Sequence, residues 1–156
     1  MPAIGVGALL IPTRKALPPA RLKEAPVARL APEAEDWLVK RRSLLPKAAG
    51  RSVDLVANAL HGIAPALARL PDNSAEAAEA RRLIGEHLPR LVDAWLAIPP
   101  AHRTAETEAE VSRALGVVGE AVSDLSARLA AGSLDALKVE GRFLESRYSE
   151  KGPQSR

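Results

Sequence analysis

His61, His87 and His102 are the side chains of this 156-residue sequence best suited to acid–base or metal chemistry. Three imidazoles can hold zinc, but none of the three shares the His-x-x-x-His spacing that puts two ligands on one helix face. Each sits beside a turn or a proline: His61 before Gly62 and Pro65, His87 before Pro89, and His102 after Pro99 and Pro100. They meet only if the helices carrying His61 and His87 are neighbours and the segment after Pro100 folds back. A phosphoester hydrolase built on such a histidine cluster is the enzymatic alternative. Other signatures are missing from the sequence. There is no cysteine for thiolate or cysteine–zinc chemistry, and no Glu-x-x-His pair of the kind used by carboxylate-bridged metal bundles. No Gly-x-Ser-x-Gly elbow occurs. Gly5-Val6-Gly7 lacks the rest of a dinucleotide fingerprint, and Gly116 to Gly119 lacks a P-loop lysine. No catalytic, cofactor-binding or metal residue is assigned, and no cofactor is expected.

Two basic clusters, Lys40-Arg41-Arg42 and Arg81-Arg82, are dense enough to attract phosphate. Glu33, Glu35, Asp36, Glu76, Glu79 and Glu86 surround them, which reads as a mixed-charge solvated surface. Aromatic residues are 3% of the chain, so few rings are left to stack bases. Residues 1–30 hold Arg14, Lys15, Arg21, Lys23 and Arg29 against Glu24, a net +4. The whole chain is +3, which leaves −1 for residues 31–156. That nearly neutral remainder offers little field to steer nucleic acid, which is not an expected partner.

The elements that must position any site follow from apolar spacing. Steps of three and four residues recur in four series: Val53, Val56, Leu60, Ile63, Leu67, Leu70; Ile84, Leu88, Leu91, Trp95, Ile98; Val111, Leu115, Val118, Val122, Leu125, Leu129; and Leu134, Leu137, Gly141, Leu144, Tyr148. Such spacing lays one stripe along one side of a helix, as in helix bundles and coiled coils. The expected fold is all-α, an antiparallel bundle of four to five helices occupying residues 31–148. Residues 1–30 are expected to be an extended, disordered Pro-rich basic tail, and residues 149–156 a disordered C-terminus.

The first helix is expected from Glu33 to about Ala48, opened by Pro32 and bent or ended by Pro46. Its apolar face is Trp37, Leu38, Leu44 and Leu45, with Trp37 either core or a partner anchor. The second, over roughly 53–70, is capped by Ser52 after Gly50. The third, over roughly 74–98, starts at Asn73 with Glu76 and is kinked by Pro89 over Gly85 before Pro99-Pro100 stops it. Thr104 with Glu106, Glu108 and Glu110 opens the fourth. Gly132 ends that helix, and Ser133 caps a fifth that closes before Gly152-Pro153.

Two stretches carry a resemblance. His87-Leu88-Pro89, Leu91 and Trp95-Leu96, within the run 87–100 that leads into Ala101-His102-Arg103, resemble the Tyr-Leu-Pro…Leu…Tyr…Leu helix of a bacterial family. That family is known as the 5-bromo-4-chloroindolyl phosphate hydrolysis proteins. Gly141-Arg142-Phe143-Leu144-Glu145-Ser146-Arg147-Tyr148 resembles the closing helix of related uncharacterised bacterial proteins. The resemblance covers residues 83–148; histidine at 87 and tryptophan at 95 stand where tyrosine is commoner. It implies a bacterial helical domain near membranes or envelope-stress functions, and carries over no catalytic residue.

The apolar run Ala3 to Ile11 is shorter than the roughly 20 residues that span a bilayer. Its positive charges follow it rather than precede it, unlike a signal peptide. The expected setting is cytoplasmic, with peripheral membrane contact through residues 1–30 as the membrane-associated alternative. The expected function is a non-enzymatic helical interaction domain that binds a protein partner or self-associates, with the irregular first helix as the docking element.

Overall fold

The computed structural model describes residues 19–149, with side chains from Leu22 onward. The apolar run Ala3 to Ile11, the prolines at 2, 12 and 18, and residues 150–156 lie outside the described residues. So does most of the segment expected to touch a membrane. Among the described residues there is no strand, and no helix is long and apolar enough to cross a membrane.

Helix α1 is Pro19–Glu24 and α2 is Val27–Arg41. This corrects the tail: from residue 19 the chain is folded, because Leu22, Ala25, Val27 and Leu30 all enter the core. Pro26 supplies a preset φ of −56° in front of α2. Asp72, in the turn after the next helix, accepts the Val27 N–H at 2.9 Å and so satisfies one of the free donors of the first turn. Pro32 therefore lies inside α2 rather than at its start. Two short 3₁₀ turns, Arg42–Leu44 and Lys47–Ala49, follow, parted by extended residues before and at Pro46.

Helix α3 is Gly50–Ala68, so Gly50 begins the helix and Ser52 lies within it, its hydroxyl 3.2 Å from that of Ser112. The next rod is α4 (Ala75–Ala80), a π-helical segment Arg81–His87, and α5 (Leu88–Ala97). Its cap is Ser74, one residue after the expected Asn73, accepting from the Ala77 N–H. The kink expected from Pro89 takes the form of that π segment. The wider turn accommodates the proline, which has no N–H to give, and Pro89 itself is buried. Pro100–His102 form a 3₁₀ turn, and Thr104 and Thr107 make a reciprocal capping box.

That box opens α6, Ala105–Leu144, forty residues long and continued by a π turn over Glu145–Ser149. No break occurs at Gly132, and the fifth helix expected from Ser133 is the outer half of α6. Glycine inside a helix costs about 1 kcal/mol but does not stop it, and no proline occurs from residue 101 to 152.

Helix α3 lies between α2 and α6. It runs antiparallel to α2, as His61 near Glu35 and Arg42 near Asp54 require. It runs parallel to α6, with Ser52 at Ser112 and Val56 at Gly119. The α4–α5 rod closes the bundle against α2 and α6. Val53, Val56, Leu60, Ile63, Leu67, Ile84, Leu88, Trp95, Val111, Leu115, Val118, Val122 and Leu125 are buried, so three of the four stripes meet in one core. The fourth does not.

Candidate functional site

On α6 the buried stripe ends at Leu125 and the partly buried Leu129. Every residue from 130 to 149 is exposed, and the helix projects from the bundle as an arm about 28 Å long at 1.5 Å per residue. Leu134 is 50% exposed, Leu137 68%, Leu144 46% and Tyr148 63%, although the spacing marks them as a packing stripe. With Ala130 and Gly141 they repeat in steps of four and three over the whole arm. The arm stripe is not a continuation of the buried one. Passing from Leu129 to Ala130 is a single-residue step, which turns the apolar face by about 100° around the helix. The arm stripe therefore points sideways from the direction of the core, while Val139 and Phe143, 65% and 50% exposed, project from other sides of the arm.

At the foot of the arm is an open notch of about 780 Å³ between the end of α3 and α6, lined among others by Pro65, Arg69, Leu70, Leu129 and Ser133. Arg128 ties α6 to α4 just before the arm leaves. Its guanidinium donates two hydrogen bonds to the Glu79 carboxylate, at 2.6 and 3.3 Å, and holds that carboxyl below the usual range. A second, smaller apolar groove of about 190 Å³ separates α5 from the start of α6, around Leu91, Trp95, Ile98 and Val111.

The first helix turns most of its expected apolar face into the core, leaving Leu44 exposed. Trp37 and Leu38 are buried, and the Arg41 guanidinium stacks 4.4 Å over the Trp37 ring. Arg41 is itself only 8% exposed; burial pushes it below its ordinary value while Asp93 opposes the shift. Desolvation in turn raises the Asp93 carboxyl, and Arg41 lowers it. Trp95 is anchored by its indole N–H, which donates to the Leu44 carbonyl at 3.1 Å, with Arg103 over its ring. The basic clusters are distributed among carboxylates: Lys40 with Asp36 at 3.0 Å, Arg42 with Asp54 at 2.7 Å, and Arg81 with Asp72 at 2.7 Å.

The histidines sit on three different elements, α3, the π segment and the turn after Pro99, and all three are exposed. His61 is 84% exposed, with Nδ1 3.8 Å from Glu35. Among the described residues, no three His, Asp or Glu side chains gather in a way that could hold a metal ion. What sequence reasoning missed is the arm. Its signal is the one-residue slip in the stripe at Ala130, together with the lack of any proline to end α6.

Comparison with protein-family models, with curated proteins and with solved structures finds no match for this chain.

Proposed function

We propose that this protein is a helical interaction module: a bundle that holds one amphipathic helix, the arm of α6, away from its surface for another helix to pair with. The observation that carries this reading is the four large apolar side chains of the arm stripe, exposed on an element whose spacing is that of a buried seam. Helix-on-helix recognition reads anchors at this same spacing, so the arm already has the pattern of a docking ligand. The bundle supplies rigidity. Isolated helices of this length are marginal in water, and continuity with the buried half of α6 lowers the cost of nucleating the arm.

A photo-reactive amino acid placed at Leu137 in the full chain tests the reading in cells, with the same group at Val117 on the exposed side of the buried half as control. The expected result is a discrete covalent adduct from position 137 and none from 117. Failure of positions 134, 137 and 144 alike to form any adduct overturns the proposal.

A further inference from the structure

The arm carries its own information about what it pairs with, and this inference rests on reading the arm as the docking element. In heptad terms the sequence of the stripe alternates between two core positions: Leu134, Gly141 and, within the closing π turn, Tyr148 on one, Ala130, Leu137 and Leu144 on the other. The residues flanking it are Lys138 and Glu145 on one edge and Glu140 and Arg147 on the opposite edge. All four are exposed. Flanking charges of this kind set partner and orientation.

We infer that the arm pairs with the arm of a second copy of this chain, antiparallel, with Gly141 of one copy facing Leu144 of the other. In that register Leu137 faces Tyr148 of the second copy. Lys138 lies beside Glu145 of the second copy and Glu140 beside Arg147, and the two-fold axis repeats both pairs. All the flanking charges are then matched with opposite sign. The competing arrangements are not. A shift of one heptad one way sets Lys138 against Lys138 and Glu140 against Glu140. A shift the other way sets Glu145 against Glu145 and Arg147 against Arg147. In a parallel pair in register, Glu140 meets Glu145 of the neighbour. Like charges at these positions repel, so the pattern selects one orientation and one register.

Gly141 supports the same arrangement. A Cβ there would meet nothing within 4 Å, so within one chain the glycine serves no close contact and only weakens the exposed helix. Opposite Leu144 of a second copy it becomes the small half of a small-against-large layer. Antiparallel pairing also keeps the two bundles at opposite ends of the shared rod, clear of each other. The overlap is about two heptads, which belongs to the weak, transient class of interface.

Sedimentation equilibrium of the full chain up to about 500 µM tests the inference, because weak interfaces require high concentration. The expected result is a reversible monomer–dimer equilibrium. Glu145→Lys places Lys138 against a second lysine in both symmetry-related pairs, and is expected to weaken the dimer roughly tenfold. The double variant Lys138→Glu/Glu145→Lys restores opposite signs and is expected to return within about threefold of the starting affinity. Both positions are exposed, so circular dichroism should show unchanged helicity. A chain that stays monomeric overturns the inference. So does a dimer that Glu145→Lys leaves unchanged or tightens, since a parallel pair would gain an attraction between Glu140 and the introduced lysine. A double variant that fails to recover overturns it as well. Adducts from position 137 to a different protein, with no self-adduct, would overturn the second copy as occupant and leave the interaction module standing.

Discussion

Glycines separate the packed and unpacked halves of α6. At Gly119 a Cβ would stand 2.8 Å from Leu55 Cγ and 3.3 Å from the Val56 backbone nitrogen, so the missing side chain is what lets α3 and α6 close. Gly119→Ala is expected to lower stability by about 1–2 kcal/mol in chemical denaturation, even after a helix-propensity gain of about 1 kcal/mol. Gly132 meets nothing within 4 Å, so Gly132→Ala should raise far-UV helicity without lowering the unfolding midpoint. Gly85 is a third case. Its missing Cβ leaves room for the Lys23 backbone at 3.1 Å, which seats α1 on the π segment. The tryptophans differ in their N–H groups: Trp95 donates to Leu44, whereas the buried Trp37 Nε1 has no hydrogen-bond partner. Trp95→Phe strands the half-buried end of a cross-bundle hydrogen bond, and Trp37→Phe removes a donor that gains nothing. The first should cost about 1 kcal/mol more than the second in thermal or urea unfolding.

Among the elements, α6 contains its own control. Leu115 is fully buried and Leu137 is 68% exposed, with the same side chain on the same helix. Leu115→Ala is expected to cost about 2–5 kcal/mol of folding stability, from lost burial plus the cavity left behind. Leu137→Ala, measured at dilute concentration, should fall within about 0.5 kcal/mol of the parent. Equal costs for the two would mean that the arm is packed, contrary to its exposure. The other helices obey local chemistry read with an offset. Pro99-Pro100 stop α5 as their sequence says, and Thr104 caps as it should. Helix α2, by contrast, ends at Arg41, short of the expected Ala48, and Pro46 parts the two 3₁₀ turns that follow. Pro32 is overridden. The buried Val27, Leu30, Ala31 and Ala34 make one continuous face across it, and that burial outweighs one lost backbone hydrogen bond.

For the molecule as a whole, charge sets the response to acid. Asp72 is held below the ordinary carboxylate range by the Val27 N–H and by Arg81, Glu79 by Arg128, and Glu86 by Lys23. Depressed folded values stabilise the fold above the ordinary carboxylate range and lose that contribution as pH falls through them. Asp93 acts in the opposite sense. Its raised value makes its ionised form unfavourable in the folded state, and protonation relieves the cost. Three depressed groups against one raised group give a net loss of stability in acid. The thermal midpoint is expected to hold from neutral pH to about pH 5 and to fall below about pH 4, with high salt shrinking the difference. Substituting Arg128 by alanine should shallow that acid slope by removing the partner of Glu79.

Fold class was legible because a seam of aliphatic side chains at three-four spacing has only one economical solution, burial against other helices. The stop at Pro99-Pro100 and the Thr104 cap were equally local. The sequence alone could not say which stripes meet. Residues 19–30 looked like a tail because their prolines were visible, while the pocket that takes Leu22, Val27 and Leu30 is built by residues far along the chain. The arm looked like a fifth core helix because its spacing equals that of the other three stripes. Only the tertiary structure decides that the core is already filled at Leu125, that α6 runs on past it, and that its last apolar face turns outward. Periodicity fixes the existence of an oily face; whether that face is covered depends on how much partner surface the rest of the chain can bring to it.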